Sequence, residues 1–423
     1  MRVMWIVGRV PAEVSLAVDG DAHVSGGWQD ALLAHARRVP GLELLVAHPG
    51  PTADTRIGIA GVEFASVGPI EPASRLARVF RRWSPSWPDA TMVTACARLV
   101  AEWRPDLVHV HGTESGLGLV AELIETPLLI SLQGLLSAYE ATEVAQQERP
   151  ASARPTLGEY LRGLAPRHEI AHFRAAAAAE RSQLRAATFV AGRTRFDRRV
   201  AAVLAPQAPW LRVGEVLRDP FYDATQWAPK TGGASRDPQL LTGGAGYRRK
   251  GIDVAVQAVS ILLKSGTPAL LRVLAAPDSI DGRSAMAEAV RAGIGDRVSL
   301  CGVLSAEGVI AELQACDGLL VPSRSDNSPN TLCEGMLLGV PTVASTAGGI
   351  PSLITDGDDG LLVPPGDPYS LAGAVRQVLG DVELAAHLSR GARRRALARH
   401  DRARVTAELL EAYGVATGLA PRG

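Results

Sequence analysis

Short apolar runs alternate with amphipathic stretches along most of the chain. In the first half, runs such as RVMWIV, DLVHVHG and PLLISLQG stand apart from stretches of helical period such as GGWQDALLAHARRV. The second half repeats this alternation, with PQLLTGG, ALLRVLA, GLLVPS and PTVAST as strand-like runs and GIDVAVQAVSILLKSG as a helical one. Strands that alternate with helices are typical of parallel sheets covered by helices. The pattern therefore predicts an α/β fold with two doubly wound domains.

The domain boundaries are predicted from length and from one change in composition. A chain of 423 residues is long for a single core and suits two large domains. The stretch DPFYDATQWAPKTGGASRDP is rich in Pro, Gly and polar residues and has no sustained period, so it reads as a connection. We predict an N-terminal domain over 1–218, a linker over 219–237 and a C-terminal domain over 238–400. Residues 401–423 are predicted to be a C-terminal helix, for which packing back on the first domain is one placement.

Composition narrows the classes of partner. The chain has 44 basic and 44 acidic residues, so no net field is available to hold nucleic acid non-specifically. The four cysteines form no C-x-x-C pair and lie in apolar runs, where a reduced thiol behaves as a small hydrophobe. The opening MRVMWIVGRVP fits a first strand better than a signal peptide, and no apolar run reaches the length of a membrane span. We therefore expect a cytoplasmic protein.

A basic amphipathic segment lies within SRLARVFRRWSPSW. Over residues 75–83 the apolar side chains Leu76, Val79, Phe80 and Trp83 share one helical face, and the arginines lie largely elsewhere. A helix packed on the first domain with solvated arginines accounts for this pattern, and that interpretation is favoured. The alternative is a peripheral contact with the inner membrane face, which would suit a lipid-linked acceptor.

Two acids flank the start of a predicted helix in SDNSPNTLCEG. Asp326 lies in a polar loop after a buried strand, and Glu334 lies about one turn into the helix, with Asn330 or Ser328 as the expected N-cap. A helix start offers N–H groups to phosphate oxygens, and an ionised carboxylate can accept hydrogen bonds from a vicinal diol. The local alternative is that Glu334 complements the helix dipole and Asp326 caps the turn.

The order of motifs in this region resembles that of the family 4 glycosyltransferases. That family carries two acids with seven residues between them, then G-x-P-x-V-A-S, a Gly-Gly-Ile-Pro turn and G-L-L-V-P-P-G-D. This chain has Asp326 and Glu334 at that spacing, followed by GVPTVAST, GGIP and DGLLVPPGD. The family usually has Glu where Asp326 stands. The resemblance implies a GT-B fold, in which two Rossmann-like domains face each other across a cleft, and retaining transfer from a nucleotide-sugar donor.

The resemblance also implies roles for residues around this helix. Glu334 would hold the donor ribose, and Asp326 would contact hydroxyls of the transferred sugar. The first turn of the helix, including Asn330 and Thr331, would meet sugar and diphosphate oxygens.

A second motif, LLTGGAGYRRKGIDVAVQAV, places glycines and basic residues between a strand and a helix. It resembles the family element in which Arg and Lys stabilise the departing diphosphate. Lys250 and Gly251 match that element, whereas the family arginine falls near Gly244. The chain has only three lysines, so a lysine at this position is a more specific match to the element than it would be in a lysine-rich protein. Arg248 or Arg249 is the candidate replacement for the missing arginine, and Arg249 is assigned to diphosphate binding with Lys250.

Three further positions in the first half are singled out. Gly26 and Gly27 precede a helix after the first strand, and the corresponding family loop lies opposite the donor diphosphate, near the acceptor. Gln133 stands where the family commonly has His; because Gln cannot act as a general base, it is expected to position the donor sugar. The candidate catalytic residues are therefore Asp326, Gln133 and Lys250.

Other polar residues are assigned to the interior. His109 and His111 alternate along one strand, so we expect only one to face the cleft, and a core role is favoured for both. Arg193, Asp197, Glu215 and Arg218 either border the cleft or form a buried ion-pair network at the domain junction, and the network is favoured.

The predicted function is retaining, metal-independent transfer of a sugar from a nucleotide-diphosphate sugar to a hydroxyl of a small-molecule, glycan or lipid-linked acceptor. It requires no cofactor and would serve polysaccharide or natural-product biosynthesis. Three alternatives stay open. They are a sugar-nucleotide epimerase or hydrolase on the same fold, a non-catalytic sugar-binding protein, and a metal-dependent transferase that uses the DGD at Asp19 to Asp21.

Overall fold

The computed structural model describes residues 1–19, 27–50, 53–68, 90–147, 166–230, 236–244 and 246–418. These residues separate into two compact units. Unit 1 contains the described residues of Met1–Gln147, Pro155–Val216 and Arg402–Gly423, and unit 2 contains those of Leu217–Asp401. The segment 75–83, proposed above as an amphipathic helix, lies outside the described residues.

The described strands follow the chain in this order: β1 Arg2–Val7, β2 Glu43–His48, β3 Ala53–Ile59, β4 Val62–Val67, β5 Leu107–His111, β6 Leu128–Ser131, β7 Phe189–Gly192, β8 Trp210–Arg212, β9 Gln239–Gly243, β10 Leu270–Leu274, β11 Val298–Leu300, β12 Gly318–Val321, β13 Thr342–Ser345 and β14 Leu361–Val363.

The described α-helices are α1 Ala12–Asp19, α2 Trp28–Ala36, α3 Ala90–Trp103, α4 Leu136–Gln147, α5 Pro166–Ala186, α6 Arg195–Leu204, α7 Pro220–Asp223, α8 Ile252–Lys264, α9 Ile280–Arg291, α10 Ala306–Ala315, α11 Asn330–Leu338, α12 Pro368–Gly380, α13 Val382–Arg399 and α14 Arg402–Thr417. Within these helices, none is both long enough and apolar enough to span a bilayer.

Unit 1 is built on an eight-stranded sheet of order β3-β4-β2-β1-β5-β6-β7-β8. Every pairing is parallel except that of β3 with β4. Both faces are covered, because Met4 and Ile6 of β1 belong to one hydrophobic cluster and Val3 and Trp5 to another. Successive side chains of a strand point to opposite faces, so a strand buried on both sides reads as a continuous apolar run.

The last helix, α14, completes the second of these clusters. Its Val405, Leu409 and Tyr413 are fully buried against the face that carries Trp5. The Trp5 indole N–H donates to the Tyr413 hydroxyl at 2.7 Å, and the same hydroxyl lies 2.7 Å from Nδ1 of His109. The end of the described chain is thereby fixed to its first strand.

Unit 2 is built on a six-stranded, all-parallel sheet of order β11-β10-β9-β12-β13-β14. The chain winds outward from β9 to β11 and then crosses to β12 on the other side of β9. This reversal leaves a crevice at the carboxyl ends of β9 and β12, the position where doubly wound sheets bind ligands. Phe221 and Trp227, from the stretch predicted to be a linker, are buried in the core of this unit.

The strand-like runs named from the sequence all form strands, and the α/β prediction is confirmed. The sequence analysis did not identify β3, β4 and β8. Residues of β3 such as Thr55 and Arg56 are exposed, so this edge strand lacks the apolar run that marks the others. The four cysteines are free thiols.

Candidate functional site

Lys250 and Asp326 meet at the carboxyl edge of the sheet in unit 2. Lys250 follows β9 and Asp326 follows β12, so the strand reversal brings them together. The Lys250 ammonium donates to Oδ2 of Asp326 at 2.6 Å. The carboxylate also accepts from the Ser323 hydroxyl at 3.2 Å and from the Asn327 backbone N–H at 3.1 Å. Two of the three predicted catalytic residues therefore form one partly buried ion pair.

Two positions around Lys250 favour glycine because a side chain there would be strained or would clash. Gly244 has a φ of +111°, and a Cβ there would lie 3.3 Å from Cε of Lys250. Gly251 has a φ of +70°, and a Cβ there would lie 2.0 Å from the Pro322 carbonyl oxygen. The backbone at Gly244 has a φ that residues with side chains rarely adopt, so an arginine at this position would be strained.

Arg324 ties the two loops of this edge together. Its guanidinium donates to both oxygens of Asp253 at 2.6 and 2.7 Å and to the Arg248 carbonyl at 2.8 Å. Its backbone N–H donates to the Arg249 carbonyl at 2.8 Å. The loop after β12 is thus fixed to the start of α8, although the sequence analysis assigned no role to Arg324.

The predicted N-cap of α11 is corrected by the structure. Pro329 occupies the N-cap position and α11 begins at Asn330, so neither Asn330 nor Ser328 caps the helix. Pro329 has no side-chain donor or acceptor to satisfy the first turn. The first N–H groups of an α-helix have no acceptor within the helix, and here they belong to the turn that contains Asn330 and Thr331. The Ser325 hydroxyl, in the same loop, is buried and has no hydrogen-bond partner in the described part of the chain.

Glu334 is held by a residue far away in sequence. Nε of Arg218 donates to Oε1 at 2.8 Å and Nη2 donates to Oε2 at 2.9 Å. The Glu334 side chain is 5% exposed and that of Arg218 is 20% exposed. The structure therefore does not place Glu334 as a simple helix-dipole partner, because a bidentate ion pair orients its carboxylate.

The Gly-Gly-Ile-Pro turn shapes the loop that carries Asp326. A Cβ at Gly348, whose φ is +52°, would lie 1.9 Å from the Asp326 carbonyl oxygen. A Cβ at Gly349 would lie 2.1 Å from the carbonyl oxygen of Asn327. The Gly349 backbone N–H donates to the Asp326 carbonyl at 2.9 Å. The two glycines let this turn approach the acidic loop closely.

The carboxyl edge of the sheet in unit 1 brings Gln133 next to the start of α2. The Gln29 amide donates to Oε1 of Gln133 at 3.1 Å and to the His111 carbonyl at 3.3 Å. Gly27 is the N-cap of α2, and its N–H donates to Asp30, which is paired with Arg9 at 2.6 Å. Gly26 lies outside the described residues, and so do the residues that follow Asp19 in the DGD motif.

Glu114 also lies at this edge, and sequence reasoning missed it. Its Oε1 accepts from the Gly134 backbone N–H at 2.6 Å. A Cβ at Gly112 would lie 2.3 Å from Oε2, and one at Gly134 would lie 2.7 Å from Oε1. Gly112 directly follows β5 and Gly134 lies three residues after β6, and the Glu114 carboxyl group fills the space that a side chain at either position would need. Burial raises the pKa of Glu114, while the Gly134 N–H and the Arg193 guanidinium oppose that rise.

The two histidines of β5 require a correction. His109 and His111 lie on the same face of the strand, with ring centroids 3.9 Å apart, because residues two apart share a face. The expectation that only one would face the cleft is therefore wrong as argued. Both rings are buried, and burial lowers the pKa of His111 to about 3. The core role favoured for both fits this burial.

The basic residues near the end of the first half form ion pairs within their own units. Nε of Arg193 lies 3.1 Å from Oε2 of Glu215 in unit 1, and both side chains are almost fully buried. Arg218 is the partner of Glu334 in unit 2. Arg193, Glu215 and Arg218 thus each take part in an ion pair, and Asp197 accepts from the backbone N–H groups of Arg193 and Thr194. Their partners could not be inferred from the sequence, because charge type alone does not select one carboxylate among many.

Comparison with known proteins shows the family. Residues 237–381 match the family described as glycosyl transferases group 1. The chain is 30% identical to a 2-deoxystreptamine N-acetyl-D-glucosaminyltransferase of Streptomyces fradiae over 298 residues, which cover 70% of this chain and 67% of that protein. It is also 30% identical to a 2-deoxystreptamine glucosyltransferase of Streptomyces kanamyceticus, over 69% of this chain and 73% of that protein.

The solved structures agree on the fold. A sucrose-phosphate synthase of Thermosynechococcus elongatus superposes with a TM-score of 0.73 at 18% identity, over 99% of this chain and 100% of the other. The HepE protein of Anabaena, solved with UDP-glucose, superposes with a TM-score of 0.66 at 15% identity, over 98% and 99% of the two chains. These likenesses confirm a two-domain GT-B-like fold. The chain belongs to the group 1 glycosyl transferases and is a glycosyltransferase.

Proposed function

We propose that the protein transfers a hexosyl group, with retention of configuration, from a nucleoside-diphosphate sugar to a hydroxyl of an aminocyclitol. The observation that carries the donor part is the Lys250–Asp326 pair beside the start of α11, with Glu334 on the next turn. The acceptor class is supported by the two relatives named for 2-deoxystreptamine. We propose a cytoplasmic reaction without an obligatory metal.

Fixed cations at the edge of unit 2 suit a leaving diphosphate. As the bond between the anomeric carbon and the diphosphate oxygen breaks, negative charge grows on the phosphate oxygens. The Lys250 ammonium can exchange its Asp326 partner for these oxygens, and the first-turn N–H groups of α11 add hydrogen bonds. Asp326 is then available to accept hydrogen bonds from hydroxyls of the sugar. Arg249, in the same turn as Lys250, is the second proposed cation.

The acceptor oxygen attacks the same face of the sugar from which the diphosphate leaves. Its proton passes to a leaving phosphate oxygen, so no protein nucleophile is required. Glu334 holds the ribose, and Gln133 positions the transferred sugar. Gly27 and the preceding Gly26 belong to the acceptor side of the reaction.

The donor assignment is tested by melting temperature in EDTA with UDP, GDP, ADP, TDP and their sugars. A ligand at 100 times its Kd adds about 2.7 kcal/mol to the folded state, which raises the melting temperature by several degrees. We expect one base to give this shift and Glu334→Gln to lose it. Glu383→Gln, an exposed change on α13, is the matched control. No shift with any ligand, in folded protein, would overturn the donor assignment.

Glu114 provides a test of the acceptor class. Its carboxyl group is held by a backbone N–H, and an acceptor ammonium beside it would favour the ionised form. Glu114→Gln keeps the shape and removes the charge. We expect KM for 2-deoxystreptamine to rise about tenfold, the value of one charge-assisted hydrogen bond, while KM for the donor stays constant.

The same assay separates the alternatives. Consumption of the donor at an unchanged rate without any acceptor would favour a hydrolase or epimerase. Binding of the donor without turnover of any acceptor would favour a sugar-binding protein. Preference for myo-inositol 3-phosphate over 2-deoxystreptamine would contradict the aminocyclitol proposal, because a carboxylate repels a phosphate.

A further inference from the structure

We propose that Arg218 is a positioning residue for the ribose-binding carboxylate, and that it sets how strongly the enzyme distinguishes ribose from deoxyribose in its donor. The inference rests on the proposed function, which assigns the ribose to Glu334. It adds a residue from outside the sheet-edge loops to the donor site.

The geometry of the pair fixes the plane of the carboxylate. Two parallel N–H···O bonds, at 2.8 and 2.9 Å, join Nε and Nη2 of Arg218 to the two oxygens of Glu334. Such a fork prevents rotation of the carboxylate about its terminal bond. A carboxylate has about four lone-pair sites, and this fork uses one on each oxygen.

Arg218 is itself held in place. Its guanidinium lies 4.7 Å from the ring centroid of Phe221, which is fully buried. The backbone next to it is fixed as well, because the Leu217 N–H donates to the Tyr222 hydroxyl at 3.1 Å and that hydroxyl donates to the His400 carbonyl at 2.6 Å. Because the arginine is held in place, its two hydrogen bonds also hold the Glu334 carboxylate in place.

Burial gives the pair a second effect. Glu334 is almost fully buried, and a buried carboxylate without a partner is costly. The guanidinium supplies the opposite charge beside it, and an ionised carboxylate can only accept hydrogen bonds. A ribose diol can donate two hydrogen bonds, and the Glu334 carboxylate is an acceptor already oriented to receive them.

The test compares ribose and deoxyribose ligands in variants of the arginine. The probes are UDP with dUDP and GDP with dGDP, and the readout is Kd by calorimetry. Arg218→Lys keeps the charge and loses the bidentate fork. We expect the wild-type protein to bind the ribose form of its preferred base about tenfold more tightly than the deoxy form, and Arg218→Lys to reduce that ratio to about twofold. Kd for the deoxy form should change little.

Arg236→Lys is the matched control. Arg236 forms a similar bidentate pair in unit 2, with hydrogen bonds of 3.0 and 2.7 Å to Asp317. Asp317 directly precedes β12, so this pair lies at the opposite end of the strand from the candidate site. This variant should keep the wild-type ratio.

Each other outcome has a separate meaning. If Arg218→Lys weakens both forms equally and keeps the ratio, Arg218 is only structural and the inference is wrong. Equal binding of both forms by the wild-type protein would overturn the ribose role of Glu334 and the inference with it. Binding of no probe, together with no melting-temperature shift from any nucleotide of the donor panel above, would overturn the donor assignment itself. Melting temperatures confirm that each variant is folded.

Discussion

The carboxylates at the two sheet edges are held in different ways. In unit 2, Asp326 and Glu334 are each paired with a cationic side chain. In unit 1, Glu114 accepts from a backbone N–H, and Glu180 accepts from the Thr113 hydroxyl and the Ser137 N–H. A cation can exchange a carboxylate for an incoming anion, whereas a carboxylate that accepts its hydrogen bonds from neutral donors can receive an incoming cation without giving up a cationic partner. The difference suits unit 2 to a diphosphate and unit 1 to an amine.

Removing the Lys250 ammonium from unit 2 should have the largest effect. Lys250→Ala is expected to lower kcat/KM about 10³-fold, or about 4 kcal/mol, because it removes a positive charge aimed at the leaving group. Initial rates with a fixed acceptor measure this loss. Lys264→Ala, an exposed change at the end of α8, should leave the rate unchanged. An unchanged rate in Lys250→Ala would contradict the proposal that the Lys250 charge stabilises the leaving diphosphate.

A smaller effect is expected from the turn that supports Asp326. Gly348→Ala should destabilise the protein by about 3 kcal/mol, because its Cβ would meet the Asp326 carbonyl in addition to the cost of a positive φ. Gly357→Ala has a φ of +81° and nothing within 4 Å of the added Cβ, so it should cost only about 1 kcal/mol. Urea unfolding measures both values. Equal losses would mean that the acidic loop can move aside.

The smallest effect concerns the two buried histidines of unit 1. Burial holds the pKa of His109 well below its usual value, with a further contribution from His111, and lowers the pKa of His111 to about 3. The unfolded chain takes up these protons near pH 6.5, so stability is full above that pH and is lost as pH falls towards the folded pKa. His111→Leu should therefore reduce the slope of stability between pH 6 and 5 by about 1 kcal/mol per pH unit.

Urea unfolding from pH 8 to 5 checks this slope. The difference between wild type and His111→Leu should be constant above about pH 7.5, where both imidazoles are neutral in the folded and unfolded chains. Parallel curves down to pH 5 would show that protonation of His111 does not limit acid stability.

Local patterns predicted most of the fold and part of the site. Strands that are buried on both faces are recognisable in the sequence as apolar runs. Lys250 and Asp326 each follow such a run, so a doubly wound sheet could be expected to bring them together. The Arg218–Glu334 pair joins positions 116 residues apart, and nothing local marks either as the partner of the other. Glu114 was missed because the two glycines that make room for it look like ordinary turn residues.

The return of α14 to unit 1 has a consequence for the order of synthesis. The indole of Trp5 finds its hydroxyl partner 408 residues later, at Tyr413. A ribosome must therefore produce all of unit 2 before the first strand can acquire this partner. During that interval the face of the sheet that carries Trp5 lacks its last covering helix. All residues of unit 2 are synthesised before α14, so the core of unit 2 can form before the core of unit 1 is complete. Such long-range closure slows folding, and exposed apolar surface invites aggregation.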